Sequence, residues 1–155
     1  MINNIKPKRI RSKIGDIFQI DLKDGMKTFG RILEEPLMAF YDFGTKINLD
    51  LGEIVKKNIA FRIPVTNHSI KSGEWKILGN LPLSEEIKIA PIFFREDAIS
   101  GEYSLYRDDV ETPCLKEECI GLERAAVWDP EHIEDRLRDH YAGVPNRWVI
   151  EQQLK

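Results

Sequence analysis

The sequence predicts an α+β fold: a mainly antiparallel, curved β-sheet that opens as a barrel-like N-terminal meander, with one C-terminal α-helix packed on it. Three observations predict it. Apolar residues alternate with period two at Phe18, Ile20 and Leu22, which puts one face of a first strand in a core. Asp24-Gly25 and Glu35-Pro36 interrupt those runs at hairpin spacing. Residues 128–143 carry helical periodicity bounded by a start signal and a stop signal.

Taken in order, Phe18, Ile20 and Leu22 form the buried row of a first strand over 14–22. Lys23-Asp24-Gly25 is a turn, because Asp-Gly supplies the positive φ that a tight hairpin needs. Residues 28–33 return as the second strand, with Gly30 marking a bend or bulge, and 37–43 form the third after the Glu34-Glu35-Pro36 break. A short helix fits 51–57, and further strands fit 59–65, 75–79, 87–94 and 102–106. No repeat or low-complexity linker divides the chain. Residues 1–13 therefore read as a basic leader and 14–155 as a single domain.

The helical segment is specified locally. Asp129 suits the N-cap, Pro130 the first helical position and Gly143 the position after the last turn. Ile133, Leu137 and Tyr141 make one stripe that packs on the sheet, with His140 beside it as a hydrogen-bonded, half-buried histidine. The opposite face carries Glu131, Asp135, Arg138 and Asp139, with Glu134 at its edge. This face reads either as solvated surface, where Glu134 and Asp135 support Arg138, or as a docking surface. Trp128 reads either as a core residue pinning the start of the helix or as an anchor for a partner.

At 42 % apolar and 32 % charged, the chain is too rich in core-forming residues to remain disordered. The net charge of −3 argues against a broad basic nucleic-acid surface, but it hides a split. Residues 1–95 carry +5 and residues 96–155 carry −8. No run approaches the ~18–20 apolar residues of a membrane span, and the leader lacks the apolar centre of a signal peptide. Two cysteines without an export signal point to thiols in a reducing cytoplasm.

Cys114, Cys119 and His132 match the first spacings of a zinc finger, but the next histidine, His140, sits ~12 Å farther along a helix axis, beyond the reach of one tetrahedral zinc. With His68 as the only other histidine and no nucleophile elbow or phosphate-binding loop, neither a metal nor a cofactor is expected. Five basic residues in the leader would give salt-sensitive, non-specific attraction to nucleic acid at most.

Several stretches resemble the immunity protein 26 family in order and spacing: Gly15-Asp16-Ile17-Phe18, Phe29-Gly30-Arg31-Ile32-Leu33, Phe40-Tyr41-Asp42, Trp75-Lys76-Ile77-Leu78-Gly79-Asn80 and Gly121-Leu122-Glu123-Arg124-Ala125-Ala126-Val127-Trp128. The resemblance spans about residues 8–150 and is most specific over 121–143. It implies a bacterial cytoplasmic protein of a polymorphic toxin system, which binds and neutralises a cognate toxin delivered by neighbouring cells. An acidic surface suits a basic toxin such as a nuclease. The residues expected to meet the toxin are Trp128, Asp129, Glu131, Glu134, Asp135, Arg138 and Asp139. Names within the family also mention a small phosphotriesterase. The alternative is therefore a metal-dependent hydrolase, for which Asp42, Asp129 or Glu131 would be candidate carboxylates.

Overall fold

The computed structural model describes residues 9–155, so the first eight residues of the basic leader lie outside the described residues. The predicted meander forms as β1 (Asp16–Asp21), β2 (Lys27–Ile32) and β3 (Leu37–Tyr41). With β4 (Ile59–Pro64) and β5 (Lys76–Asn80) these make a five-stranded antiparallel sheet in the order β4-β3-β2-β1-β5. Its end strands β4 and β5 do not pair with each other, so the sheet does not close into a barrel.

A second sheet holds β6 (Phe93–Glu96), β7 (Tyr103–Arg107), β8 (Val110–Cys114) and β9 (Glu123–Arg124), in the order β8-β7-β6-β9. Only β9 runs parallel to its neighbour, β6. Residues 87–94 do not form the single strand expected of them. Glu85–Lys88 is instead a helical turn, in which Lys88 pairs with Glu85 at 3.0 Å, and the strand begins only at Phe93. Pro91 intervenes and has no N–H to give a ladder.

The helices are α1 (Leu51–Ile54), α2 (His68–Ser72), α3 (Glu85–Lys88), α4 (Pro130–Ala142) and α5 (Arg147–Gln152). The long one, α4, starts and stops where its signals place it. Asp129 accepts a hydrogen bond from the Glu131 N–H at 2.9 Å, and Gly143 turns left-handed with φ 70°. The expected single C-terminal helix is in fact followed by α5, whose Asn146 side chain accepts from the N–H groups of Trp148 and Val149.

The larger of two buried clusters lies between the first sheet and α4, and the smaller gathers Ile17, Phe29, Tyr41 and Ile54. Phe18 stacks on Trp75 with ring centroids 5.4 Å apart, and Phe40 meets both edge-on. Fully buried Ile133 and Leu137 join this cluster from α4, and burying each contributes about 1.5–3 kcal/mol. That burial matters because a 13-residue helix is marginal by itself. Gly30 pairs regularly between Phe18 and Phe40 and makes no bulge; register shifts fall instead between Ile17 and Phe18 in the β1–β5 ladder and between Phe40 and Tyr41 in the β3–β4 ladder. The absent side chain at Gly30 leaves room for the Phe18 ring, which a Cβ there would meet at 2.3 Å.

Candidate functional site

The residues expected to face a partner separate into three groups. Trp128 is buried in the core. Its N–H donates to the Pro64 carbonyl at 2.9 Å and its carbonyl accepts from Thr66 at 3.0 Å, so it extends the edge of the first sheet as a short parallel bridge to Val65. The Arg136 guanidinium lies 5.0 Å from its ring.

Glu134 corrects the expected edge of the outward face, because it is only 3 % exposed. It lies one turn before Leu137, on the flank of the buried stripe, and its carboxylate is held there by two donors. The Trp75 Nε1–H reaches it at 3.2 Å and the Lys23 ammonium at 3.0 Å. Glu134, through hydrogen bond and charge, holds the Lys23 pKa above its ordinary value.

The remaining residues sit on the outer side of α4, and α5 covers part of them. Asp135 accepts from Arg138 and from the Trp148 Nε1–H at 3.1 Å, and Asp139 accepts from the Asn146 amide at 2.9 Å. Arg138 also donates to the Leu22 carbonyl at 2.8 Å. Partial burial pushes the Asp135 carboxyl up, but the Trp148 and Arg138 hydrogen bonds and the Arg138 charge outweigh it, leaving the group below its usual value. Asp129 and Glu131 stay exposed.

On the inner side, the Tyr141 hydroxyl donates to the Tyr41 carbonyl at 2.5 Å and meets Thr28 Oγ1 at 2.8 Å, and burial pushes its pKa up to about 12. His140 is exposed rather than half-buried, with its Nε2 2.6 Å from Asp42. His132 stacks on Trp148 at 3.5 Å between ring centroids. These two histidines therefore serve separate surroundings. Cys114 and Cys119 bring their sulfurs to 3.6 Å as free thiols, and burial, followed by the neighbouring Cys114, pushes the Cys119 thiol up to about 11. Among the described residues, no three His, Cys, Asp or Glu side chains gather as a metal site would require.

Most exposed acid of residues 96–155 lies elsewhere. Residues 96–123 contain nine Asp and Glu against one Lys and one Arg, and eight of the nine carboxylates are exposed. The topology concentrates them on the second sheet, where β7 and β8 form a hairpin closed by Asp108 and Asp109 at φ 49° and 62°. β8 is the edge of that sheet, and Val110, Leu115 and Ile120 beside these acids are 63 %, 70 % and 71 % exposed.

A family model described as Immunity protein 26 matches residues 13–105. The chain belongs to the immunity protein 26 family. The match to this immunity protein family takes in β1 through β6 and the start of β7, and with them the whole five-stranded sheet. Residues 121–143, where the sequence resemblance is most specific, lie outside the match, as do β8 and α4. Comparison with curated proteins and with solved structures returns no match. Membership in the immunity protein 26 family supports an immunity role and a protein partner. No helix among the described residues is long and apolar enough to cross a membrane.

Proposed function

We propose that this immunity protein neutralises a cognate toxin in the cytoplasm of the cell it protects, by stoichiometric binding rather than by turnover, and that the acidic second sheet makes the main contact. The observation that carries this reading is the exposed acid of residues 96–123, set beside three exposed apolar side chains. A dense acidic field speeds encounter with a basic partner, and apolar groups at its centre supply desolvated contact. Toxins that act on nucleic acid carry basic active-site surfaces, so a nuclease is the class of toxin this field suits best.

Pro113 lies within β8 and cannot donate to an added strand, which favours docking through side chains over extension of the sheet. Of the residues first expected on the helix, Asp129 and Glu131 are free to join the contact. Asp135, Arg138 and Asp139 would take part only through the portions that α5 leaves open, and Glu134 and Trp128 serve the core.

The test compares two charge-reversed variants, Asp108→Lys with Glu111→Lys and Glu117→Lys, and Glu131→Lys with Asp135→Lys and Asp139→Lys. Each is titrated against the toxin domain encoded by the adjoining gene, with circular dichroism as a check on folding. The first set should weaken binding about tenfold or more, and the second should act less. Loss through the helix set alone would move the interface to α4, and unchanged affinity in both would reject electrostatic docking.

A further inference from the structure

The first sheet buries a positive charge that no carboxylate answers. Arg31 of β2 is 3 % exposed, and no Asp or Glu lies within 4.0 Å of its guanidinium among the described residues. The first eight residues, Met-Ile-Asn-Asn-Ile-Lys-Pro-Lys, contain no acidic side chain. Arg31 Nη2 donates to the carbonyls of Gly15 and Leu81 at 3.0 and 2.5 Å, and Nη1 makes a long 3.3 Å contact with the Tyr41 hydroxyl. The buried Nε has no hydrogen-bond partner among the described residues. Arginine does not lose its proton in a protein, so it cannot escape this cost by neutralising itself. An unpaired buried ion costs several kcal/mol.

This guanidinium lies at the wall of a cavity of about 590 Å³. Tyr41, Lys56, Lys57 and Arg62 also line it, with Glu86 as the one acid, so the charged side chains around the cavity sum to +3. Two carbonyl groups of α3 and the segment after it hold Arg62, and burial, followed by the charge of Arg107, pulls its pKa below the ordinary value. Burial raises the Tyr41 pKa, so its hydroxyl keeps its proton at neutral pH. No acceptor for that proton is present among the described residues. Ile59 and Leu83 add an apolar wall. The volume falls within the range of small-molecule sites, and the lining is more polar than apolar.

We propose that this cavity binds a phosphate-bearing small molecule, with its phosphate toward Arg31, Tyr41 and the Lys56–Lys57 pair and its organic body against Ile59 and Leu83. A phosphate group carries about −1.5 to −2 charges at neutral pH, and so answers a +3 lining better than a single carboxylate does. The site is separate from the acidic sheet. It would add ligand recognition to the immunity role, whichever surface holds the toxin.

Isothermal titration of the full chain with inorganic phosphate, AMP and adenosine at constant ionic strength tests the proposal. Phosphate and AMP should both bind, AMP more tightly, and adenosine should not. Tyr41→Phe keeps the packing and removes only the hydroxyl, while Lys56→Ser with Lys57→Ser removes surface charge without touching the core. Each should weaken AMP binding about tenfold, the size of effect expected for a lost hydrogen bond or ion pair to a charged group. The Arg31 Nε–H resonance should shift on addition of phosphate. No binding of either phosphate compound, adenosine binding as well as AMP, or AMP affinity unmoved by both variants would overturn the site.

Discussion

Trp75 donates its indole hydrogen to Glu134 across 3.2 Å inside the core, joining the loop before β5 to the inner flank of α4. Both side chains are buried, and Lys23 covers the carboxylate from the solvent side. Replacing Glu134 with Ala orphans a buried N–H, leaves Lys23 unpaired and opens a void. The expected loss is about 1–3 kcal/mol, measured by urea denaturation. Glu134→Gln retains an acceptor for the indole and should lose less than Glu134→Ala. Equal losses in the two variants would show that the hydrogen bond adds nothing.

Two glycines should respond in opposite directions. At Gly30 an added Cβ would sit 2.3 Å from the Phe18 ring and 2.7 Å from the Ala39 carbonyl oxygen, so Gly30→Ala should destabilise by about 1–3 kcal/mol through overpacking. At Gly52, within α1, a Cβ meets nothing within 4 Å, and Gly52→Ala should stabilise by up to about 1 kcal/mol because alanine favours helix and narrows the unfolded ensemble. Thermal melts of the two variants separate the cases.

Acid should weaken the join between α4 and α5. The Asp135 pKa is lower in the folded protein than in the unfolded chain, so its contribution is present above the unfolded value of about 3.9 and is lost as pH falls through the folded one. Stability measured from pH 6 down to 3 should therefore fall less steeply in Asp135→Asn than in the parent below about pH 4. Trp148 fluorescence should report the same change. Parallel acid limbs would refute the linkage.

The two thiols should differ in reactivity despite their 3.6 Å separation. With a pKa raised to about 11, Cys119 is thiolate in only about one part in 1,000 at pH 8, and its side chain is fully buried. Iodoacetamide at that pH should label Cys114 well before Cys119, as read by mass spectrometry of the intact chain and its peptides. Equal labelling rates would contradict the burial of Cys119.

Much of the fold was legible because its signals are local. Phe18, Ile20 and Leu22 announced a buried strand row, and Asp129, Pro130 and Gly143 bounded α4, since capping and period-two burial depend on neighbours in the chain. The β7–β8 hairpin was half hidden, because Asp108-Asp109 supplies two positive φ values without the glycine that usually marks such a turn. α5 carries only one local sign, the Asn146 cap, and its role in covering Asp135 and Asp139 comes from tertiary packing.

The candidate face was harder to read. A helical projection shows Glu134 as a polar residue at the edge of a stripe, but not that Trp75, 59 residues away, holds it inside. The −8 of the second half likewise showed the amount of acid but not its place. Most of that half's exposed acid proved to lie on the second sheet and its connections, while three of the four acidic residues within α4 are engaged by internal partners.

The bridge between Val65 and Trp128 has a consequence for how the protein is made. The edge of the sheet that begins to form near residue 16 is finished only by a residue more than one hundred positions later. The bridge closes a loop of 63 residues, which slows folding, and during synthesis that edge must wait, incomplete, until Trp128 has emerged.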